Sequence, residues 1–123
     1  MYKSFEEYIE ERIHFIKSIM SIEKNEYFDY DSDSFSKALQ DFTSVKSMIE
    51  KEKNGEVISW DELASVICPY ISKTHQSSIQ NYKDESLSNN IRLDSKSIAE
   101  SLSRIWEEII SKCNNPVALT LVE

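Results

Sequence analysis

Apolar residues recur at helical spacing in several separate stretches of the chain, and that pattern sets the expectation for the fold. Phe5, Ile9, Ile13, Ile16 and Met20 are three and four apart, with Tyr8, Phe15, Ile19 and Ile22 widening the stripe. Ser4 and Glu7 form a capping box in front of it, so the first helix should open at Ser4. A second stripe of Phe35, Ala38, Leu39, Phe42, Val45 and Ile49 predicts a helix from about residue 34 to 53. Asp31, Ser32, Asp33 and Ser34 all suit its N-cap, with Asp33 or a near neighbour the expected one, and Asn54-Gly55 suits its C-terminal stop.

Ser59 and Glu62 form another capping box, followed by Leu63, Ala64, Val66 and Ile67. Pro69 lacks an amide hydrogen and pushes Cys68 away from helical angles, so a break or kink is expected there. Beyond it a further helix carries Tyr70, Ile71, Thr74, Ser78, Ile79 and Tyr82 on one side. Residues 83–93 read as a polar connection. The last helix is expected to open near Asp94 or Ser95, supported by Ser97 and Glu100 as a third box. It turns Ile98, Leu102, Ile105, Trp106, Ile109, Ile110 and Cys113 inward and stops at Asn114-Asn115-Pro116. The tail at 117–122 is apolar enough to dock on the helices or to pair as a short strand.

These elements predict an all-α fold: a single domain over residues 1–123, built as a compact bundle of four or five helices with a docked C-terminal tail. Composition agrees, because one glycine, Gly55, and two prolines, Pro69 and Pro116, are too few for the turns of a many-stranded sheet protein. Cys68 and Cys113 lie in apolar helical patterns without metal or redox spacing and read as buried, reduced thiols. The N-terminus has no basic region followed by an apolar run, and no stretch reaches membrane-spanning length, so a soluble cytoplasmic protein is expected.

The formal net charge of −8 is concentrated at the ends. Residues 1–33 carry −5, residues 34–83 balance, and residues 84–123 carry −3. A field of that sign repels nucleic-acid phosphates and anionic membranes and attracts basic surfaces. Direct nucleic-acid or membrane binding is therefore disfavoured. Part of the acidity has a local cause, since first-turn acids suit the positive end of a helix dipole.

Chemistry beyond binding finds little support. Asp29, Asp31 and Asp33 match the first three ligand positions of an EF-hand loop, but Ser34 replaces the required glycine and Gln40 the bidentate glutamate. His14 and His75, each read as a partly buried helix residue, lack ligand partners at zinc spacing. No nucleophile elbow occurs, a single glycine cannot build a phosphate-cradling loop, and Glu107-Glu108 diverge by about 100° on a helix. Neither an enzyme nor a bound metal or cofactor is expected.

The densest feature is Glu26-Tyr27-Phe28-Asp29-Tyr30-Asp31-Ser32-Asp33, where three rings alternate with carboxylates between two helices. Rings supply interface anchors and carboxylates speed association with a cation-rich partner. Tyr27, Phe28 and Tyr30 either face outward for that purpose or fold back to close the core. The Tyr27-Phe28-Asp29-Tyr30 cluster, the acidic face of the first helix, the chain length and the helical class together resemble the immunity proteins that neutralise bacterial nuclease toxins of the colicin and contact-dependent growth inhibition systems. Unlike the colicin DNase branch, no proline follows the cluster. The resemblance implies a partner surface of Glu7, Glu10, Glu11, Glu26, Tyr27, Asp29, Tyr30, Asp31 and Asp33 and a basic toxin domain, a nuclease, as partner. Two other readings use the same acidity and helices: a phage-encoded mimic of nucleic-acid charge, and a helical adaptor. An adjacent upstream toxin gene would favour the first reading and a phage early region the second.

Overall fold

A computed structural model describes residues 1–114 and shows an all-α chain. Its helices are α1 (Phe5–Met20), α2 (Ser32–Lys53), α3 (Trp60–Lys83) and α4 (Asn89–Lys112). The tail at 117–122 lies outside the described residues. The chain divides into two compact units, one of Glu6–Ile58 and the other of Met1–Phe5 with the chain from Ser59 onward. Among the described residues no helix is long and apolar enough to cross a membrane.

Within the Glu6–Ile58 unit, α1 and α2 run antiparallel. Lys53 at the end of α2 meets Glu6 at the start of α1, 2.7 Å apart, and Tyr8 packs edge-on to Phe42 with ring centres 5.9 Å apart. The Glu6 carboxylate raises the Lys53 ammonium above its ordinary pKa by hydrogen bonding to it. Tyr8, Ile9, Ile13 and Ile16 of α1 and Phe42, Val45 and Ile49 of α2 are buried, as their spacing predicts. Helix α2 ends in a Schellman arrangement: the amides of Gly55 and Glu56 donate to the carbonyls of Glu52 and Lys51, both at 3.0 Å. Gly55 takes the left-handed φ of +88° that this stop requires.

In the other unit α3 and α4 form an antiparallel pair. At one end Trp60 packs beside Phe5, with Lys112 above its ring and the Cys113 thiol donating to its carbonyl at 3.5 Å. At the other end Arg92 Nε donates to the Tyr82 carbonyl at 2.9 Å, satisfying an acceptor that the end of α3 leaves open. Leu63, Ala64, Ile67, Cys68 and Ile71 of α3 and Ala99, Leu102, Ile105, Trp106 and Ile109 of α4 are buried. Burial pushes the Cys68 thiol up to about 12, so it packs as a small apolar group. Cys113 is half-buried rather than buried; both thiols are free.

Two boundaries of this pair differ from expectation. Helix α3 passes through Pro69 without interruption. Proline removes the bond to the Ser65 carbonyl, but that face is exposed at Pro69, while buried Ile67, Cys68 and Ile71 bracket it on the packed face. Packing of several apolar side chains outweighs one missing bond. Helix α4 begins at Asn89 rather than near residue 94, because Ser88 caps it by accepting from the Ile91 amide at 3.3 Å. The connection is correspondingly short and is held by Asp84, whose carboxylate accepts from the amide and hydroxyl of Ser86. Ser97 and Glu100 sit inside α4 instead of opening it.

Because Pro69 is exposed and its ring position forfeits a helix bond, Pro69→Ala should raise stability by about 1–3 kcal/mol in urea unfolding. A lower midpoint for this variant would show that α3 needs the proline's local bend.

Candidate functional site

The candidate surface starts from how the connection between α1 and α2, residues 21–31, is tied down. Asn25 and Phe28 bracket a two-residue turn: the Asn25 amide donates to the Phe28 carbonyl at 2.8 Å, and Phe28 returns the bond at 3.3 Å. The Asn25 side-chain oxygen also accepts from the amides of Tyr27 and Phe28, so the turn is fixed from inside by its own first residue. Glu26 and Tyr27 therefore occupy the tip, and Tyr27 is 90% exposed.

Phe28 and Tyr30 fold the other way. Their ring centres are 5.8 Å apart, and Tyr30 meets Phe35 of α2 edge-on at 5.6 Å. The Tyr30 hydroxyl donates to the Met20 carbonyl at 3.1 Å, filling an acceptor at the end of α1. Lys24 lies 4.6 Å from the centre of the Tyr30 ring and 3.3 Å from the Asp29 carboxylate. All three rings were candidates for either role, and the turn divides them: one outward, two half-buried.

Asp31, not Asp33, is the N-cap of α2, and the helix begins at Ser32 rather than Ser34. Its carboxylate accepts from the amides of Asp33 and Ser34 and from the Ser34 hydroxyl. These bonds, the hydroxyl first, hold its pKa below the ordinary carboxylate range. Its contribution to stability is thus present above that range and fades as pH falls through the lowered folded pKa. Asp33 is exposed in the first turn, where it borders an open depression along α2 of about 880 Å³.

The three glutamates of α1 do not share one face. Glu10 lines a small recess with Glu6, Lys46 and Lys53, on the side of α1 that meets α2. Glu7 and Glu11 stand four apart on the outer side, and the same ridge continues through Phe15, Ile19 and Ile22. Phe15 is 39% and Ile22 45% exposed, and Ile19 is half-buried, although the spacing of all three predicts a wider core stripe. The Arg12 guanidinium sits 4.7 Å above the Phe15 ring. This ridge is the part of the surface that spacing alone does not reveal. The usable signal is the width of the stripe, since eight apolar positions on a helix of 16 residues cannot all face one neighbour.

The surface that results runs along the outside of α1 to the turn: Glu7 and Glu11, then Phe15, Ile19 and Ile22, then Glu23, Glu26 and Tyr27. Glu7 lies roughly 20 Å along the axis from the end of α1, so the candidates form a strip rather than a pocket. Glu10, Tyr30 and Asp31 stand apart from it, the first beside α2's lysines and the other two engaged in closing the helix ends. Among the described residues no three His, Cys, Asp or Glu side chains are grouped to hold a metal ion. His14 is exposed, whereas His75 is fully enclosed.

Comparison with protein-family models, with curated proteins and with solved structures finds no match to this chain.

The two tyrosines should separate cleanly in stability measurements. Tyr30→Phe, which deletes the bond to the Met20 carbonyl, should cost about 0.5–1.5 kcal/mol in urea unfolding, whereas Tyr27→Ala should change stability by less than about 0.5 kcal/mol. Equal effects would contradict the assignment of Tyr30 to the fold and Tyr27 to the surface.

Proposed function

We propose that this protein is an acidic immunity-type inhibitor that binds a basic toxin domain, a nuclease, in the cytoplasm and blocks access of its substrate. The observation that carries the reading is the pair of exposed side chains Phe15 and Ile22 with half-buried Ile19 between them, continued by Tyr27 at the turn tip and bordered by Glu7, Glu11, Glu23 and Glu26.

Each part of the strip has a distinct physical role in such a complex. A nuclease cleft is cationic because it must hold phosphates, and a row of carboxylates presents the same sign of charge to it. Long-range attraction accelerates the encounter but contributes little lasting affinity, because exposed ion pairs are screened and weak. Slow dissociation needs apolar area removed from water. Tyr27, its backbone fixed by the Asn25 turn and its side chain almost wholly exposed, has the most area of the strip to lose. Phe15 on α1 and Ile22 just past its end extend the apolar contact. Nothing in the strip calls for catalysis or for a cofactor; occupation of the cleft is sufficient.

Reversing Glu7, Glu11 and Glu26 to lysine should slow association with a basic nuclease-toxin domain by about tenfold at low salt and flatten the salt dependence. Tyr27→Ala should leave association unchanged and speed dissociation about thirtyfold, the effect of losing an anchor worth about 2 kcal/mol. Stopped-flow binding measures both. Unchanged rate constants in the two variants would overturn the placement of the site, and absence of any complex with that domain would overturn the function.

A further inference from the structure

We propose that the cleft between α3 and α4 is a binding site for a small organic carboxylate. The cleft has a volume of about 320 Å³, within the range of small-molecule sites, and lies among residues that the α1 ridge does not use. His75, only 3% exposed, lines it from α3, and its Nε2 is 3.1 Å from the hydroxyl oxygen of Ser103 on α4. Its Nδ1 is buried without a hydrogen-bond partner.

A neutral imidazole carries one ring proton, and Nδ1 is left bare in either tautomer, as a donor or as an acceptor, at a comparable cost of about 1–3 kcal/mol. With the proton on Nε2 it is donated to Ser103, whose own O–H is then left to donate into the cleft that Ser103 lines, and an anion there selects this tautomer. The floor of the cleft thus offers a hydroxyl donor backed by an enclosed imidazole.

Charge and shape narrow the ligand. Lys83 and Lys96 line the cleft against one carboxylate, Glu100, a local excess of positive charge in a chain of net charge −8. Lys96 Nζ is 5.5 Å from the centre of the Tyr82 ring, at the wall of the same cleft. An anion fits this end, held by a charge-assisted bond from Ser103 and by the Lys96 ammonium. Ile79, Ala99 and the Tyr82 ring supply apolar wall that a bare inorganic anion would leave unused. A carboxylate on an apolar body uses both halves.

The test is a two-dimensional NMR titration of the full chain with sodium benzoate, with benzyl alcohol and inorganic phosphate as controls. Benzoate is expected to give saturable shifts at His75 and Ser103, with affinity falling about tenfold in Lys96→Gln and in Ser103→Ala. Lys96 is exposed, so the first variant keeps the fold even if the second loosens the His75 packing. No saturable shift with benzoate, equal binding of benzyl alcohol, or equally tight binding of phosphate would each overturn the proposal. None of these outcomes bears on the toxin-inhibitor reading, which rests on α1.

Discussion

A short connection between two antiparallel helices must satisfy the open carbonyls of one and the open amides of the other within a few residues, and here Tyr30 and Asp31 do so side by side. The Tyr30 hydroxyl fills the Met20 carbonyl at the end of α1 while the Asp31 carboxylate receives the first amides of α2. With Phe28 and Phe35 packed against the Tyr30 ring, Phe28, Tyr30, Asp31 and Phe35 are committed to closing the two helix ends. The preceding turn has no such duty. Asn25 fixes it internally, and Glu26 and Tyr27 are left outside. The division of an aromatic-acidic run into a structural half and an exposed half follows from that constraint, and the candidate surface depends on it.

The remaining carboxylates divide on the same principle. Glu6 and Glu10 lie beside lysines of α2, so their charge serves the pairing of α1 with α2. Glu7 and Glu11 lie on the far side with Phe15 and Ile22. The apolar arc of α1 is wider than its packing consumes, so Phe15 at the edge of that arc stays exposed, one turn beyond Glu11.

Much of this was legible from residue order alone, for reasons that differ by element. Local signals performed well where the deciding interaction is local: Ser59 caps α3, Gly55 ends α2, and the buried positions of α1 and α2 follow their spacing. They failed where distant packing competes. Pro69 predicts a break from its own geometry, but the buried side chains around it keep α3 intact. The start of α4 was hidden because Ile91 and Leu93 of its first turns are exposed and add nothing to an inward stripe, leaving Ser88 as the only sign. The exposure of Phe15 and Ile22 was hidden for the converse reason: periodicity identifies an apolar face but not whether a neighbour covers it. Tyr27 and Tyr30, three residues apart in one motif, could be separated only by the turn that Asn25 makes.

The most direct measurement is cross-saturation NMR on the deuterated full chain mixed with a basic nuclease-toxin domain, the partner proposed for it. The proposed surface predicts that signal loss concentrates at Phe15, Ile22 and Tyr27 and spares Tyr30 and the α3–α4 pair. Loss confined to α3 and α4, with residues 15–27 unaffected, would contradict it.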